Sequence, residues 1–244
     1  MIKLIILAAA LLPAVLLFFY IWKKDPQKEP LSQLLRGALY GVLICLPVSV
    51  VELGIQYVLF RGGEPATLLG TTAEAFFVAA LPEESFKLLA LWLLVRNNPW
   101  FDEHIDGIVY AVSVSLGFAA IENVSYLFGN PDEWLSVAVT RSLLAVPGHY
   151  AFGVIMGYYY SLYHFVNRSQ RNRYMILLAP VLAHGIYDAL AMSGMVNEAV
   201  GGICFFVLIY FCVKMHKFAQ RKIVAQLDRD RYRNYIYRWM NGQS

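Results

Sequence analysis

Seven stretches of this chain are long and apolar enough to cross a bilayer: about 2–22, 38–60, 73–95, 105–128, 148–166, 174–193 and 199–217. A helix needs about 20 consecutive apolar residues to span the hydrocarbon core. Backbone N–H and C=O groups find no water there, so each stretch must satisfy them internally, and each is expected to be a helix. Composition agrees: 59% of the 244 residues are hydrophobic and only 15% charged, where a soluble domain carries about a quarter charged residues. The expected fold is all-α, a polytopic membrane protein of about seven transmembrane helices. The first run follows Lys3 as a signal peptide would, but it is long and leads into Lys23-Lys24-Asp25-Pro26 with no small-residue cleavage site. It reads as an uncleaved first span. Short connections and no internal repeat define one transmembrane domain over 1–217, followed by a basic tail over 218–244.

Lysine and arginine set the orientation. With the N-terminus outside, the inner segments 23–37, 96–104, 167–173 and 214–244 hold 16 of the 20 basic residues, whereas the outer loops 61–72, 129–134 and 194–198 hold only Arg61. The chain is therefore read as N-out and C-in. Segment 132–147 has two readings: a short helix at or dipping into the outer face, or an extension of the fifth span with Pro147 as a kink. The Arg- and Tyr-rich tail reads as a cytoplasmic amphipathic helix that contacts anionic lipid and fixes topology. Cys45, Cys204 and Cys212 all lie in apolar runs without metal-type spacing and read as small hydrophobes.

Against this background the informative residues are Glu52, Glu83, Glu84, Lys87, Glu122, His184 and Asp188 within spans, with Asp106 and His149 near span ends. Ionisable groups inside a membrane are costly and by default mark function. At a rise of about 1.5 Å per residue, Glu83 lies roughly 15 Å from the outer end of its span, His184 about 14 Å, Glu122 about 9 Å and Asp188 about 8 Å. Neighbouring spans run in opposite directions, yet these groups converge on one layer in the outer half. Glu83 and Lys87 are spaced i,i+4 and Glu84 and Lys87 i,i+3, so the lysine can sit beside either carboxylate. The two glutamates point about 100° apart, so one can face a site while the other orients a neighbour. Pro82 loosens the helix before them. His184 and Asp188 share a face, and a carboxylate beside a histidine fixes its tautomer and raises its basicity. Gly117 and Gly185 permit close helix approach.

This inventory suits water-mediated hydrolysis. A carboxylate held ionised by a nearby lysine can activate water, and a second Glu or a His can polarise a carbonyl or hold its oxyanion. No Ser or Cys nucleophile has a partner base, and neither His-Glu-x-x-His nor the Gly-x-Gly-Asp of aspartyl intramembrane proteases occurs.

Three motifs, Glu83-Glu84-Ser85-Phe86-Lys87, Phe118-Ala119-Ala120-Ile121-Glu122-Asn123 and His184-Gly185-Ile186-Tyr187-Asp188, stand in order on the third, fourth and sixth spans, and Pro147-Gly148-His149 stands at the start of the fifth. Over about 70–195 the chain resembles the PrsW family of bacterial intramembrane proteases, part of the wider group that includes the CAAX prenyl endopeptidases. The resemblance implies a multi-pass protein of the bacterial plasma membrane that makes the first, extracytoplasmic cut in a single-pass membrane protein of the anti-sigma-factor type, within a stress response. Its expected partners are that substrate and the lipid bilayer, with no nucleic acid. The expected catalytic groups are Glu83, Glu84, Glu122 and His184, supported by Lys87, Asn123, His149 and Asp188. Two mechanisms stay open: a divalent metal such as zinc on His149, His184 and Glu122, or a glutamate-activated water with no metal.

Each residue also has a plainer reading. His149 at an outer helix start can simply be hydrated, Asp106 can be a helix N-terminal charge favoured by the dipole, and Glu52 matches the site in depth without a motif. The rival functions are an ion- or proton-coupled transporter and a membrane sensor or scaffold without chemistry. Transporters carry repeat symmetry and matching broken helices, which this sequence lacks. A scaffold would keep its activity after Glu83→Ala or Glu84→Ala.

Overall fold

The computed structural model describes residues 1–241, and every regular element among them is helical. Helix α1 spans Ile2–Lys24 and α2 Leu31–Phe60; α3 (Leu68–Ala73) passes through a π-helical segment, Glu74–Ala80, into α4 (Leu81–Val95). Helix α5 is Asp106–Gly129; α6 (Trp134–Thr140) passes through a second π segment, Arg141–Ala145, into α7 (Val146–Ser161); α8 is Gln170–Met192 and α9 Glu198–Met240. Among the described residues five helices are long and apolar enough to cross a membrane: Ile2–Lys24, Leu31–Phe60, Asp106–Gly129, Gln170–Met195 and Glu198–Met240. The other two apolar stretches of the sequence fall in the composite rods 68–95 and 134–166, whose π segments divide them.

Local chemistry sets the boundaries. Thr67, Ser169 and Asn197 each accept a hydrogen bond from the backbone N–H three residues on, capping α3, α8 and α9. Lys23 and Lys24 sit in the last turn of α1, where a cation meets the negative end of the helix dipole. Helix α2 ends at Arg61 in the left-handed region, φ 55°. The π segments Glu74–Ala80 and Arg141–Ala145 each end within two residues of a proline, Pro82 in α4 and Pro147 in α7, whereas a third, Leu162–Val166, closes the second rod after α7 with no proline near it. Proline has no N–H and its ring crowds the carbonyl four residues back, and a widened turn just before it relieves that conflict. Segment 134–147 is helical without a break and joined to α7, so of its two readings from the sequence the structure follows the one that extends the fifth apolar stretch, with a π segment before Pro147.

Helix α5 is the axis of the bundle, with α1, α2 and α7 packed around it. Gly117 lets α2 touch it: a Cβ there would lie 2.0 Å from the Ala38 carbonyl oxygen. Gly185 does the same for α8, where a Cβ would lie 2.4 Å from the Phe76 ring in the first π segment. Helix α9 does not stop where the apolar run ends. It continues to Met240, and its basic stretch docks onto the protein: Gln226 donates to the Tyr158 carbonyl, and Asp230 accepts from the backbone N–H groups of His104 and Ile105. The tail is thus a packed extension of α9 as well as a charged one, and its last three residues, 242–244, lie outside the described residues. Cys212 is buried, and Cys45 and Cys204 are half-buried, all three as free thiols.

Candidate active site

Helix α4 contributes the central triad. Lys87 Nζ lies 2.9 Å from Glu83 Oε2, 2.9 Å from Glu84 Oε1 and 3.1 Å from His149 Nδ1. It also stands 4.3 Å above the Phe118 ring, and only 1% of it is exposed. An ammonium has no acceptor capacity, so His149 Nδ1 accepts, which leaves its Nε2–H to donate to Glu122 Oε2 at 2.7 Å. His149 is held from behind by Ser115, whose hydroxyl donates to the His149 carbonyl.

The two glutamates have different surroundings. Glu83 lines a cavity of about 560 Å³ together with Glu52, Glu122, Arg141, His149, His184 and Asp188. Glu84 has no exposed surface; its Oε1 meets both Lys87 and His184, while its Oε2 is buried with no partner. His184 stacks on Phe152, with centroids 4.6 Å apart. Its Nδ1 lies 3.0 Å from Glu84 Oε1 and its Nε2 3.1 Å from Asp188 Oδ2. Each ring nitrogen faces a carboxylate, and a neutral ring donates from only one, so the pair of contacts favours the doubly protonated ring or a shared proton.

The second motif is anchored by a residue that sequence reasoning missed. Arg141 lies 3.0 Å from Glu122 Oε2, donates from Nε to Asn123 Oδ1 at 2.7 Å and lies over the Tyr126 ring. Asn123 is buried and donates to the Ala10 carbonyl of α1, so it is a bracket between helices and does not line the cavity. Arg141 and His149, eight residues apart, both reach Glu122 Oε2 because the π segment lies between them. In an unbroken α-helix they would point about 80° apart, and one extra residue in the turn brings them within about 20°. The one signal in the sequence was an arginine in an otherwise apolar run.

All eight sequence-identified residues are therefore in one network. Glu52 joins them at the cavity, whereas Asp106 belongs to the other end of α5. Among the residues able to hold an ion, Glu83, Glu84, His149 and His184 offer ligand atoms all within 4.8 Å of one another. Of the ligands suggested by the sequence, His149 and His184 are in this group. Glu122 is not, because it sits behind His149 on the other ring nitrogen. Two carboxylates and two imidazoles are a donor set suited to zinc, and the unpartnered Glu84 Oε2 leaves capacity for a cation. The fit has two competitors: the Lys87 ammonium already contacts three of the four donor groups, and His184 would have to release the proton it holds against Glu84 before that nitrogen could ligate.

An all-helical bundle with helices of membrane-crossing length and a cluster of carboxylates and histidines around a cavity has the make-up of an intramembrane hydrolase. Residues 29–215 match the family described as "PrsW family intramembrane metalloprotease". The chain is 41% identical over 190 residues to Protease PrsW of Geobacillus kaustophilus, covering 77% of this chain and 80% of the relative. It is 38% identical to that of Bacillus subtilis (75% and 81% covered) and 34% identical to that of Halalkalibacterium halodurans (92% and 99% covered). No solved structure matches it. The chain belongs to the PrsW family of intramembrane proteases, and it is a peptidase and a multi-pass protein of the bacterial cell membrane.

Proposed function

We propose that this peptidase makes the first, extracytoplasmic-side cut in a single-pass membrane protein of the anti-sigma-factor type, as part of a stress response. The observation that carries the reading is the 560 Å³ cavity on which Glu83, Glu122, Arg141, His149, His184 and Asp188 all border. The reading takes the rods 68–95 and 134–166 as spans beside the five long helices, giving seven, N-out and C-in. Residues 1–217 form the protease domain and 218–244 the cytoplasmic side. The charge bias of the loops supports this orientation, and it puts the cavity in the outer half of the bilayer.

Glu83 takes a proton from water, the resulting hydroxide attacks the scissile carbonyl carbon, and the proton passes to the departing amide nitrogen as the C–N bond breaks. Arg141 and His184 meet the charge on the carbonyl oxygen. Glu84 and Lys87 hold His184 and Glu83 in place, and Asp188 fixes the His184 ring. Glu83, Glu84, His149 and His184 would hold a divalent metal. When bound, such an ion supplies Lewis-acid polarisation and a more acidic water.

The test is cleavage of a membrane-anchored anti-sigma factor by purified protein in proteoliposomes. Wild type is compared with Glu83→Gln, Glu84→Gln and His184→Ala, with and without a chelator. Loss of general-base catalysis should slow Glu83→Gln by about 10²–10⁴-fold. Unchanged cleavage in all three variants would refute the site, and chelator sensitivity would decide for the metal. Solute uptake driven by a pH gradient without cleavage would replace the protease reading with transport.

A further inference from the structure

A second polar cluster lies at the opposite end of α5. Asp106 begins that helix, sixteen residues and therefore about 24 Å from Glu122 along its axis. Asp25 and Glu29, from the loop between α1 and α2, meet it there. The three carboxylates each bring an oxygen within 4.8 Å of the others. Asp25, Glu29 and Asp106 are 1%, 4% and 0% exposed.

Their hydrogen bonds are few and specific. Asp25 accepts from the backbone N–H groups of Gln27 and Glu29. Asp106 Oδ2 accepts from those of Asp102 and Glu103. Glu29 Oε2 accepts from the Tyr110 hydroxyl. Asp106 Oδ1 is buried and accepts nothing. Among the described residues no basic side chain pairs with any of the three. Of the nearby cations, Lys28 acts on Asp25 only from a distance and lies over the Trp22 ring, His104 is engaged with Asp230, and Arg233 with Glu103 and Asp230. Three carboxylates this close cannot all stay ionised in a dry site without a counter-charge.

We propose that Asp25, Glu29 and Asp106 form a site for a hard divalent cation, Mg²⁺ or Ca²⁺, distinct from the candidate active site. The donors are all oxygen, with no imidazole or thiol, which selects hard ions over zinc. The unpartnered Asp106 Oδ1 is the ligand atom that no protein group uses. The bound ion ties the α1–α2 loop to the first turn of α5.

The test uses full-length protein in uncharged detergent, stripped with chelator. Binding of ⁴⁵Ca²⁺ is measured by equilibrium dialysis, with Mg²⁺ and Mn²⁺ as competitors. One saturable site per chain is expected in wild type and in His184→Ala. Asp106→Asn and Glu29→Gln should each weaken it at least tenfold, and the ion should raise the unfolding midpoints of wild type and His184→Ala more than those of the two cluster variants. No saturable site in wild type overturns the proposal. So does a site that both cluster variants retain, or one that disappears in His184→Ala. If one isosteric variant does not fold, the other decides. Competition by Mg²⁺ at millimolar concentration identifies Mg²⁺ as the occupant, and its failure identifies Ca²⁺.

Discussion

Replacing Lys87 with methionine keeps the apolar stem of the side chain and removes only the charge. In the folded protein that charge faces two carboxylates at 2.9 Å each. With an effective dielectric of about 20, each contact is worth about 6 kcal/mol of gross Coulomb attraction. Desolvation of three buried charges offsets much of this, and breaking a buried pair by removing one partner costs about 3–5 kcal/mol net. For a chain of this length about 2–4 °C of midpoint accompanies each kcal/mol, so Lys87→Met should unfold on the order of 10 °C lower. The assay is thermal unfolding in detergent, followed by tryptophan fluorescence. Lys87→Met combined with Glu83→Gln should recover part of the loss, because the second change removes one of the two uncompensated charges. If the four donors also accept a metal, Zn²⁺ should raise the midpoint of Lys87→Met more than that of wild type, since the competing ammonium is gone. An unchanged midpoint in the single variant would refute the reasoning, and so would a double variant less stable than the sum of its parts.

Two further outcomes follow from packing and linkage. Gly117→Ala places a methyl 2.0 Å from backbone oxygen that cannot yield, so it should cost about 1–3 kcal/mol by overpacking. Gly54→Ala, with nothing within 4 Å of the new methyl, is the control that should leave the midpoint unlowered. Burial, with Asp25 and Asp102 nearby, pushes the Glu29 carboxyl from 4.5 up to about 7. The folded protein therefore holds this proton more tightly than the unfolded chain, and stability should fall as pH rises from 4.5 to 7 and level off above. Measured midpoints across that range should lose this slope in Glu29→Gln and with saturating Ca²⁺.

The motif residues were legible because a charge in an apolar span has few harmless explanations, and their spacing already put Lys87 beside both glutamates. What spacing could not say was which glutamate faces the cavity. That depends on how α4 is rotated, and the rotation is set by the π segment before Pro82. Arg141 was missed for the same reason, since α-helical counting turns it away from His149. Asp25, Glu29 and Asp106 were read as a loop and a helix start because their meeting depends on the path between α1 and α2, which no periodicity records. The basic tail was assigned to lipid by composition, yet Asp230 and Gln226, two of its less conspicuous residues, decide where it lies.

The π segment between Arg141 and Ala145 also bears on how such a site could be altered over generations. A helix with one residue too many is what a single-codon insertion leaves when its neighbours are packed too tightly to shift. Deleting one codon there would restore a regular helix without changing the kind of any remaining charge. Arg141 and His149 would then diverge, and Glu122 would keep only one of them. In this helix the pairing of charges is encoded by chain length as much as by residue identity, so an alignment that scores substitutions and treats a one-residue gap as minor would overlook the change that matters most to the carboxylate.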